Sequence, residues 1–451
     1  MGISSKQNDD NVLAVFYGKS ATYTNIPNTL FSEYNVKKGL RNEDGTGVRI
    51  GLTRVSDVIG YDTQEDGTVA PCEGRLLFRG YSLNDLVMNR KGNYGFEEVC
   101  FLLLFGYLPT KAEFTSFKAS MSARYELPND FLVNELLRAP SKNLMNRLQT
   151  ATLLLYNYDE DPDATDAYET LRKGLNLIAK FPAIGCYSYQ AKMHHFFRQS
   201  LFIHYPRPDF SIAENILYML RPDGKFTERE ANLLDALLVI HADHGGGNNS
   251  SFTDIVIGST GTDLYSAISG SIGSLKGPKH GGANINVTNM MNQVIERTGY
   301  TTDQNKVQAV VDDLLNGDFF DQSGLIYGFG HAVYTLSDPR AELLRDLCRM
   351  LAEEQNKMDE FRFYRLFEKT VKDTALARKN KILPTNVDFY SGFAYRMLGI
   401  PEDLFTPLFA ISRVAGWVAH NLENKMYDGR IMRPATKYVG EYHDFVAMER
   451  R

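Results

Sequence analysis

Sulfur and basic clusters are scarce in this chain, and so are long apolar runs. Of 451 residues only four are cysteine, Cys72, Cys100, Cys186 and Cys348. They are scattered, with no CxxC pair and no Cys/His spacing that makes a zinc site, so the usage fits a reducing, intracellular compartment. No run of Lys/Arg with interleaved aromatics occurs, and a formal net charge of −6 with a pI near 5.9 argues against a nucleic-acid partner. The longest apolar run, VCFLLLFGYL over 99–108, is too short to cross a bilayer. The N-terminal MGISSKQNDDNVLAVF lacks the apolar core of a signal peptide, and Lys6 stands where a myristoylation motif needs Ser or Thr. A cytoplasmic protein with no membrane partner is expected. Internal repeats, low-complexity tracts and Pro/Gly/Ser linkers are also missing. At 43% hydrophobic, a chain of this length buries a large core and divides into two or more domains or subdomains. Its charged first forty or so residues are expected to be loosely held.

What is present is mostly helix signal. Ser211-Ile-Ala-Glu214 and Thr227-Glu-Arg-Glu230 are capping boxes, in which the hydroxyl covers a backbone N–H while the glutamate reaches back. The second predicts a helix through NLLDALLVIHAD that delivers His241 and His244 at its end, before Gly245, Gly246 and Gly247 stop it. Asp338-Pro339-Arg340 reads as an N-cap, a first-turn proline and a helix opening. Further helices are predicted over 97–106, 110–124, 130–139, 143–155, 166–180, 185–199, 263–275, 283–296, 303–315, 360–375, 387–398 and 404–424. A short hairpin, VRIGLTRVSDVIGY with GRLLFRGY, is the main strand signal. Small residues Ser266, Ser269, Gly270, Gly273 and Ser274 recur at helical steps, which suits a closely packed core helix or a subunit seam.

Three segments set a histidine among glycines and small polar residues: His244 in HADHGGGNNSSF, His280 in LKGPKHGGANINV and His331 in YGFGHAVYTLSDPR. Glycine lets backbone and ligand approach closely, an advantage an ordinary core histidine does not need. Asp388, in PTNVDFYSG, falls near a helix N-terminus; its plain role is capping, its functional one that of a general base. Histidines opposite such a base can donate to an oxygen that gains negative charge, a combination suited to proton abstraction beside a carbonyl. Arg340, Arg413 in AISRVAG and Arg433 in IMRPATKY stand in apolar or Gly/Pro-bearing contexts and each needs an anion; a substrate with two carboxylates would account for all three. Metal is the competing reading of His241-x-x-His244, but no HExxH is present and the cysteines are far away, so no metal site is expected. Gly245–Gly247 lacks the following Lys-Ser/Thr and preceding strand of a nucleotide loop.

The ordered set HADHGGGN, KGPKHGGAN, GFGHAVY..SDPR, NVDFYSG, SRVAG and RPATKYVG resembles the citrate synthase family, of the bacterial dimeric type, and GRLLFRGYSLNDLV with FEEVCFLLLFGYLPTKAEF is similar to its early strand-turn and first helices. The likeness runs from about residue 40 to the C-terminus. It implies an all-α fold of two helical domains with a small N-terminal β hairpin: residues 1–281 and 398–451 in the large domain, 282–397 in the small one, the site lying in the cleft. It implies an acyltransferase that condenses acetyl-CoA with oxaloacetate and hydrolyses citryl-CoA to citrate and CoA, the first step of the tricarboxylic acid cycle, with no cofactor or metal. By the same likeness Asp388 is the base that takes a methyl proton and His280 hydrogen-bonds the thioester oxygen. His331 binds and polarises the oxaloacetate ketone, and His244, Arg340, Arg413 and Arg433 hold its carboxylates, Arg433 reaching in from the partner of a homodimer. Gly277, Gly281, Ile326, Gly328 and Gly330 are the expected CoA contacts. Thr335 departs from the pattern, standing where many relatives carry Arg or Lys for a CoA phosphate, so another cation is expected to substitute. No N-terminal β-domain of the NADH-inhibited relatives is evident, which favours a dimer over a hexamer.

A 2-methylcitrate synthase shares all these residues and differs by one methylene in the acyl group, worth about 1–3 kcal/mol in an apolar pocket. A non-catalytic helical scaffold predicts loss of Asp388 or of a catalytic histidine, and all are present.

Overall fold

The computed structural model describes residues 13–20, 24–42, 46–64, 68–89, 92, 94–380, 382–427 and 429–451. Residues 1–12, on which much of the signal-peptide and myristoylation reading rests, lie outside them. The chain divides into two compact units. The smaller comprises Met1–Gly51 and Arg433–Arg451; it holds a helix over 13–20, short turns of helix at Thr29–Glu33 and Lys38–Leu40, and a last turn at Met448–Arg450. Within it the Lys437 ammonium lies 5.5 Å from the centre of the Tyr34 ring.

The larger unit, Leu52–Met432, is helical apart from one small antiparallel sheet of β1 (Ser56–Thr63), β2 (Val69–Phe78) and β3 (Tyr81–Ser82), in that order. Ser56 faces Phe78 and Thr63 faces Val69. The hairpin therefore starts later than the predicted 48–61 strand, and its second strand starts earlier than residue 74. Only Leu76 and Phe78 of β2 are buried, so the exposed VAPCE half carried no apolar signature.

The longer helices are α1 (Gly95–Phe105), α2 (Lys111–Ser122), α3 (Leu144–Leu155), α4 (Ala167–Phe197), α5 (Ile212–Leu220), α6 (Glu228–His241), α7 (Asn249–Gly258) and α8 (Leu264–Leu275). They continue as α9 (Ala283–Thr298), α10 (Gln304–Asn316), α11 (Pro339–Glu354), α12 (Met358–Lys379), α13 (Val387–Met397) and α14 (Phe405–Met426). Both capping boxes form: Glu214 N–H donates to Ser211 Oγ at 3.2 Å and Glu230 N–H to Thr227 Oγ1 at 3.2 Å, with the return bonds at 2.8 Å. The segment predicted over 130–139 forms a single π-helical stretch, Leu132–Leu137. The helices predicted over 166–180 and 185–199 are one, α4, with Pro182 inside it. A mid-helix proline costs ~3 kcal/mol, but Phe181, Pro182, Ala183 and Ile184 are all buried, and burial of these side chains offsets that cost.

At the centre runs α14, buried along nearly its whole length and packed against α1, α4, α6, α7 and α8. The small residues of α8 serve close packing inside this chain: a Cβ on Gly270 would meet Ile257 Cδ1 of α7 at 2.2 Å, and one on Gly273 would meet Gln149 of α3 at 2.8 Å. Two buried carboxylates act as caps across the fold. Asp235 of α6 accepts from Gly95 N and Phe96 N at 3.0 and 2.9 Å, and Glu97 of α1 accepts from Ile212 N at 2.7 Å. From α9 to α13 the helices pack on one another, α9 and α11 both against α13 and α10 against α12.

Candidate active site

The loops that leave and enter these helices carry the site. Helix α6 ends at His241, one turn short of His244. His241 is a core residue: its Nδ1 lies 2.8 Å from Leu237 O and its ring packs 4.5 Å from Phe409, while burial and then Arg413 lower its pKa to about 3. His244, beyond the helix, is buried against the His331 ring (centroids 5.1 Å apart) and edge-on to Tyr334 at 5.6 Å. Burial, then Arg340, His331 and Arg413, hold its pKa well below the usual imidazole value, so it is neutral.

His331 has an assignable tautomer. Its Nδ1 accepts from Val333 N–H and Tyr334 N–H, each at 3.1 Å, so the proton of the neutral ring belongs on Nε2. Nε2 in turn lies 3.4 Å from Arg340 Nη2. Two donors at that separation are made for a common oxygen acceptor. Arg340 opens α11, where Asp338 does two jobs: it caps the helix through Arg340 N–H at 3.0 Å and takes the Nε–Nη2 edge of the guanidinium at 3.0 and 2.7 Å. Burial works against the Arg340 charge, but the Asp338 carboxylate and its hydrogen bonds prevail and the pKa is raised.

The 333–337 segment is pinned to the hairpin. Thr335 Oγ1 donates to Gly60 O at 2.6 Å and approaches Cys72 O at 3.2 Å, and Gly74 N–H donates to Ser337 Oγ at 3.2 Å. Thr335 is thus engaged in holding the loop. On its other side the loop pairs with the start of α13: Gly330 N–H donates to Pro384 O at 2.7 Å, Asn386 N–H to Gly328 O at 2.9 Å, and Asn386 Nδ2 to Gly330 O at 3.0 Å. Gly328 and Gly330 have φ of 88° and 84°, which explains both glycines by backbone alone.

Asn386 caps α13 through Asp388 N–H at 3.1 Å, which sets Asp388 in the first turn. No hydrogen bond reaches the Asp388 carboxylate among the described residues. Burial lifts its pKa to about 6, against the pull of Arg340 and Arg413 and with a push from Asp338.

His280 lies between α8 and α9, where Gly281 N–H donates to Leu275 O at 3.0 Å and a Cβ on Gly281 would strike that oxygen at 2.7 Å. Its Nε2 is 3.1 Å from Ser250 Oγ. That oxygen accepts from Trp417 Nε1–H at 3.1 Å and lies 2.9 Å from Asn248 Oδ1. When the Ser250 hydroxyl turns to His280, the ring proton sits on Nδ1. Burial, then Arg413, lower the His280 pKa to about 4, so it too is a neutral donor.

Arg413 links these groups. It is wholly buried on α14, donates through Nε to His241 O at 2.7 Å, and its Nη1 and Nη2 have no hydrogen-bond partner among the described residues. Its charge acts on His244, His280, Tyr334 and Asp388, and burial lowers its own pKa to about 10. His244, His280, His331, Arg340, Asp388 and Arg413 therefore share one electrostatic neighbourhood. Arg433 is exposed and falls in the smaller unit. Of the expected CoA contacts, Gly277 and Gly281 flank His280 and Gly328 and Gly330 precede His331, while Ile326 is packed in the apolar core. No group of three or more His, Cys, Asp or Glu able to hold a metal ion occurs among the described residues. Sequence reading missed Ser250, Trp417 and Asp338 as partners of the site. The Asn-Ser run after Gly247 was the available signal for the first, and the cap at Asp338 concealed its second use.

Comparison with known proteins gives a consistent result. Residues 44–435 match the family model described as citrate synthase, C-terminal domain. A citrate synthase of Haloferax volcanii is 37% identical over 385 residues, 84% of this chain and 93% of that protein. A 2-methylcitrate synthase of Shewanella oneidensis is 34% identical over 375 residues, 83% and 91% of the two chains. Among solved structures, the citrate synthase of the thermophilic archaeon Thermoplasma acidophilum, in ternary complex with carboxymethyl coenzyme A and oxaloacetate, superposes with a TM-score of 0.74 at 25% identity, covering 89% of this chain and 97% of that one.

Proposed function

The chain belongs to the citrate synthase family, acyltransferases that condense acetyl-CoA with oxaloacetate, and from that premise we propose how its own residues carry the reaction. The observation that carries the reading is that Arg413, wholly buried and with no hydrogen-bond partner for Nη1 and Nη2 among the described residues, acts on an Asp388 carboxylate that no hydrogen bond reaches. The cation calls for an anionic substrate, and the carboxylate is poised as a base near neutral pH. Oxaloacetate carboxylates are bound by Arg340, Arg413 and His244, and by Arg433 from a second copy. His331 Nε2–H and Arg340 together meet the ketone end, drawing electron density from the carbon to be attacked.

Asp388 takes a proton from the acetyl methyl while neutral His280 donates to the thioester oxygen. The resulting enol carbon attacks the ketone carbon, the new alkoxide is protonated, and water then cleaves the thioester to release citrate and CoA. Neutral histidines suit this sequence, because an imidazolium beside two buried guanidiniums would be strongly disfavoured. Charge on both oxygens is met by side-chain donors, so the route calls on no cofactor or metal. The segment 282–397 is assigned as the small domain, closing on the rest to exclude water once oxaloacetate is bound. A homodimer in the cytoplasm fits the exposed Arg433 and four unpaired cysteines.

Propionyl-CoA is the second acyl donor to consider, because relatives of both kinds match this chain at similar identity. Release of free CoA thiol in the presence of oxaloacetate tests both readings. Acetyl-CoA is expected to give the higher kcat/KM; a tenfold preference for propionyl-CoA assigns the 2-methylcitrate reaction, and no thiol release from either overturns the function.

A further inference from the structure

Tyr334 sits inside the same enclosure, and the reaction as described leaves it unused. Its side chain is 2% exposed, its hydroxyl has no hydrogen-bond partner among the described residues, and burying a hydroxyl without one costs about 1–3 kcal/mol. The ring has no freedom to seek a partner elsewhere. It stacks on His331 at 4.6 Å and 30°, meets His244 edge-on at 5.6 Å, and lies under the Arg340 guanidinium at 5.4 Å. The β2 backbone closes the remaining side, since a Cβ on Gly74 would approach Tyr334 Cδ1 to 2.8 Å. Thr335 and Ser337, both tied to the hairpin, hold the backbone on that side.

We infer that the Tyr334 hydroxyl is a further substrate-binding group, donating to an oxygen of the four-carbon 2-oxo dicarboxylate. The donor set around it points to that ligand class. Arg340, His331 and His244 touch the ring, and the Arg413 charge acts on the phenol. An oxygen-rich anion satisfies all of them, and the orphan hydroxyl with them. Burial, opposed by Arg340, pushes the phenol pKa upward, so the group stays a proton donor throughout the working range. The inference rests on the proposed reading of the site as an oxaloacetate pocket.

The test is Tyr334→Phe, which removes one oxygen and keeps the ring. A hydrogen bond to a charged acceptor is worth about 1.5–3 kcal/mol, so KM for oxaloacetate is expected to rise about 10- to 100-fold. KM for acetyl-CoA at saturating oxaloacetate should stay within about twofold on the same argument. The Tm of the ligand-free variant should be unchanged or higher, because an unpartnered hydroxyl has gone, and the Tm gain on adding oxaloacetate should shrink. An unchanged oxaloacetate KM with an unchanged ligand-induced Tm gain overturns the inference, as does a ligand-free Tm several degrees lower, which would mean a protein partner. If the unsubstituted protein neither binds oxaloacetate nor releases thiol, the proposed function fails instead; if it does both and Tyr334→Phe matches it, only the role of Tyr334 falls.

Discussion

Asp243 and Asp388 feel the same Arg413 guanidinium, yet their surroundings have driven them in opposite directions. Asp243 is wholly buried and gathers donors: Ser56 Oγ, Gly245 N–H at 2.8 Å and His420 Nε2 at 3.3 Å. Burial raises its pKa, but His420, Arg413 and Ser56 outweigh that and hold it well below the usual carboxylate range. His420, its buried partner, is raised. Asp388 has cations near it too, Arg340 and Arg413, but no hydrogen bond meets its carboxylate among the described residues and burial lifts its pKa to about 6. The lesson is that a histidine near a buried carboxylate does not mark a working base. Donors do the sorting: Asp243, with three of them gathered on Oδ2, is held ionised, and Asp388, which none reaches among the described residues, is available for a proton.

Exchanging each aspartate for asparagine should separate the two regions. Asp388→Asn should lower kcat about 10²- to 10⁴-fold, the scale of a lost general base, while calorimetric oxaloacetate binding stays within about threefold. Lost affinity would place Asp388 in substrate binding and break the contrast. Stability should move the other way. A folded pKa raised above the unfolded value means the contribution present at low pH is lost as pH rises through about 6, so Asp388→Asn should be more stable than the parent at pH 7.

Asp243→Asn should unfold more easily by about 3–5 kcal/mol at pH 7, because His420 loses its buried counter-charge. Its folded pKa is depressed, so the stability it supplies is present above the unfolded carboxylate pKa and fades as pH falls through the folded one. Denaturant melts at pH 7 and pH 3 should therefore differ less in the variant than in the parent. The folded fraction should keep kcat within about threefold, as expected of a residue outside the reaction.

A third carboxylate sharpens the rule at lower cost. Glu97 accepts from Ile212 N–H, its Oε2 has no hydrogen-bond partner among the described residues, and burial, then Asp235, lift its pKa to about 8, so it is neutral at pH 7. Glu97→Gln should change the Tm little at pH 6. Above pH 8 the variant should be the more stable of the two, because stability tied to the protonated acid drains from the parent as pH rises through about 8. Parallel Tm curves from pH 6 to 9 would count against the assignment.

The chemistry-bearing residues were legible because glycines and caps surround them. Capping at Ser211, Thr227 and Asp338 follows from three- and two-residue local geometry, and forms as read. What local pattern cannot carry is the partner across the fold. The α4 helix runs through Pro182 because of packing that no segment contains. Thr335 in the sequence is only a missing cation; in the fold its hydroxyl fastens the His331 loop to the hairpin. Likewise Ser250, tied to His280 from thirty residues away and to Trp417 on α14, became visible only once α7 and α14 were side by side.

The most direct test of the central claim, that an unsatisfied Asp388 is the base, is the pH dependence of kcat/KM for acetyl-CoA at saturating oxaloacetate. The base must be ionised to act, so the rate should fall with a slope of one below about pH 6, the value to which burial lifts Asp388. A profile that stays flat down to the ordinary aspartate range, near pH 4, would contradict it.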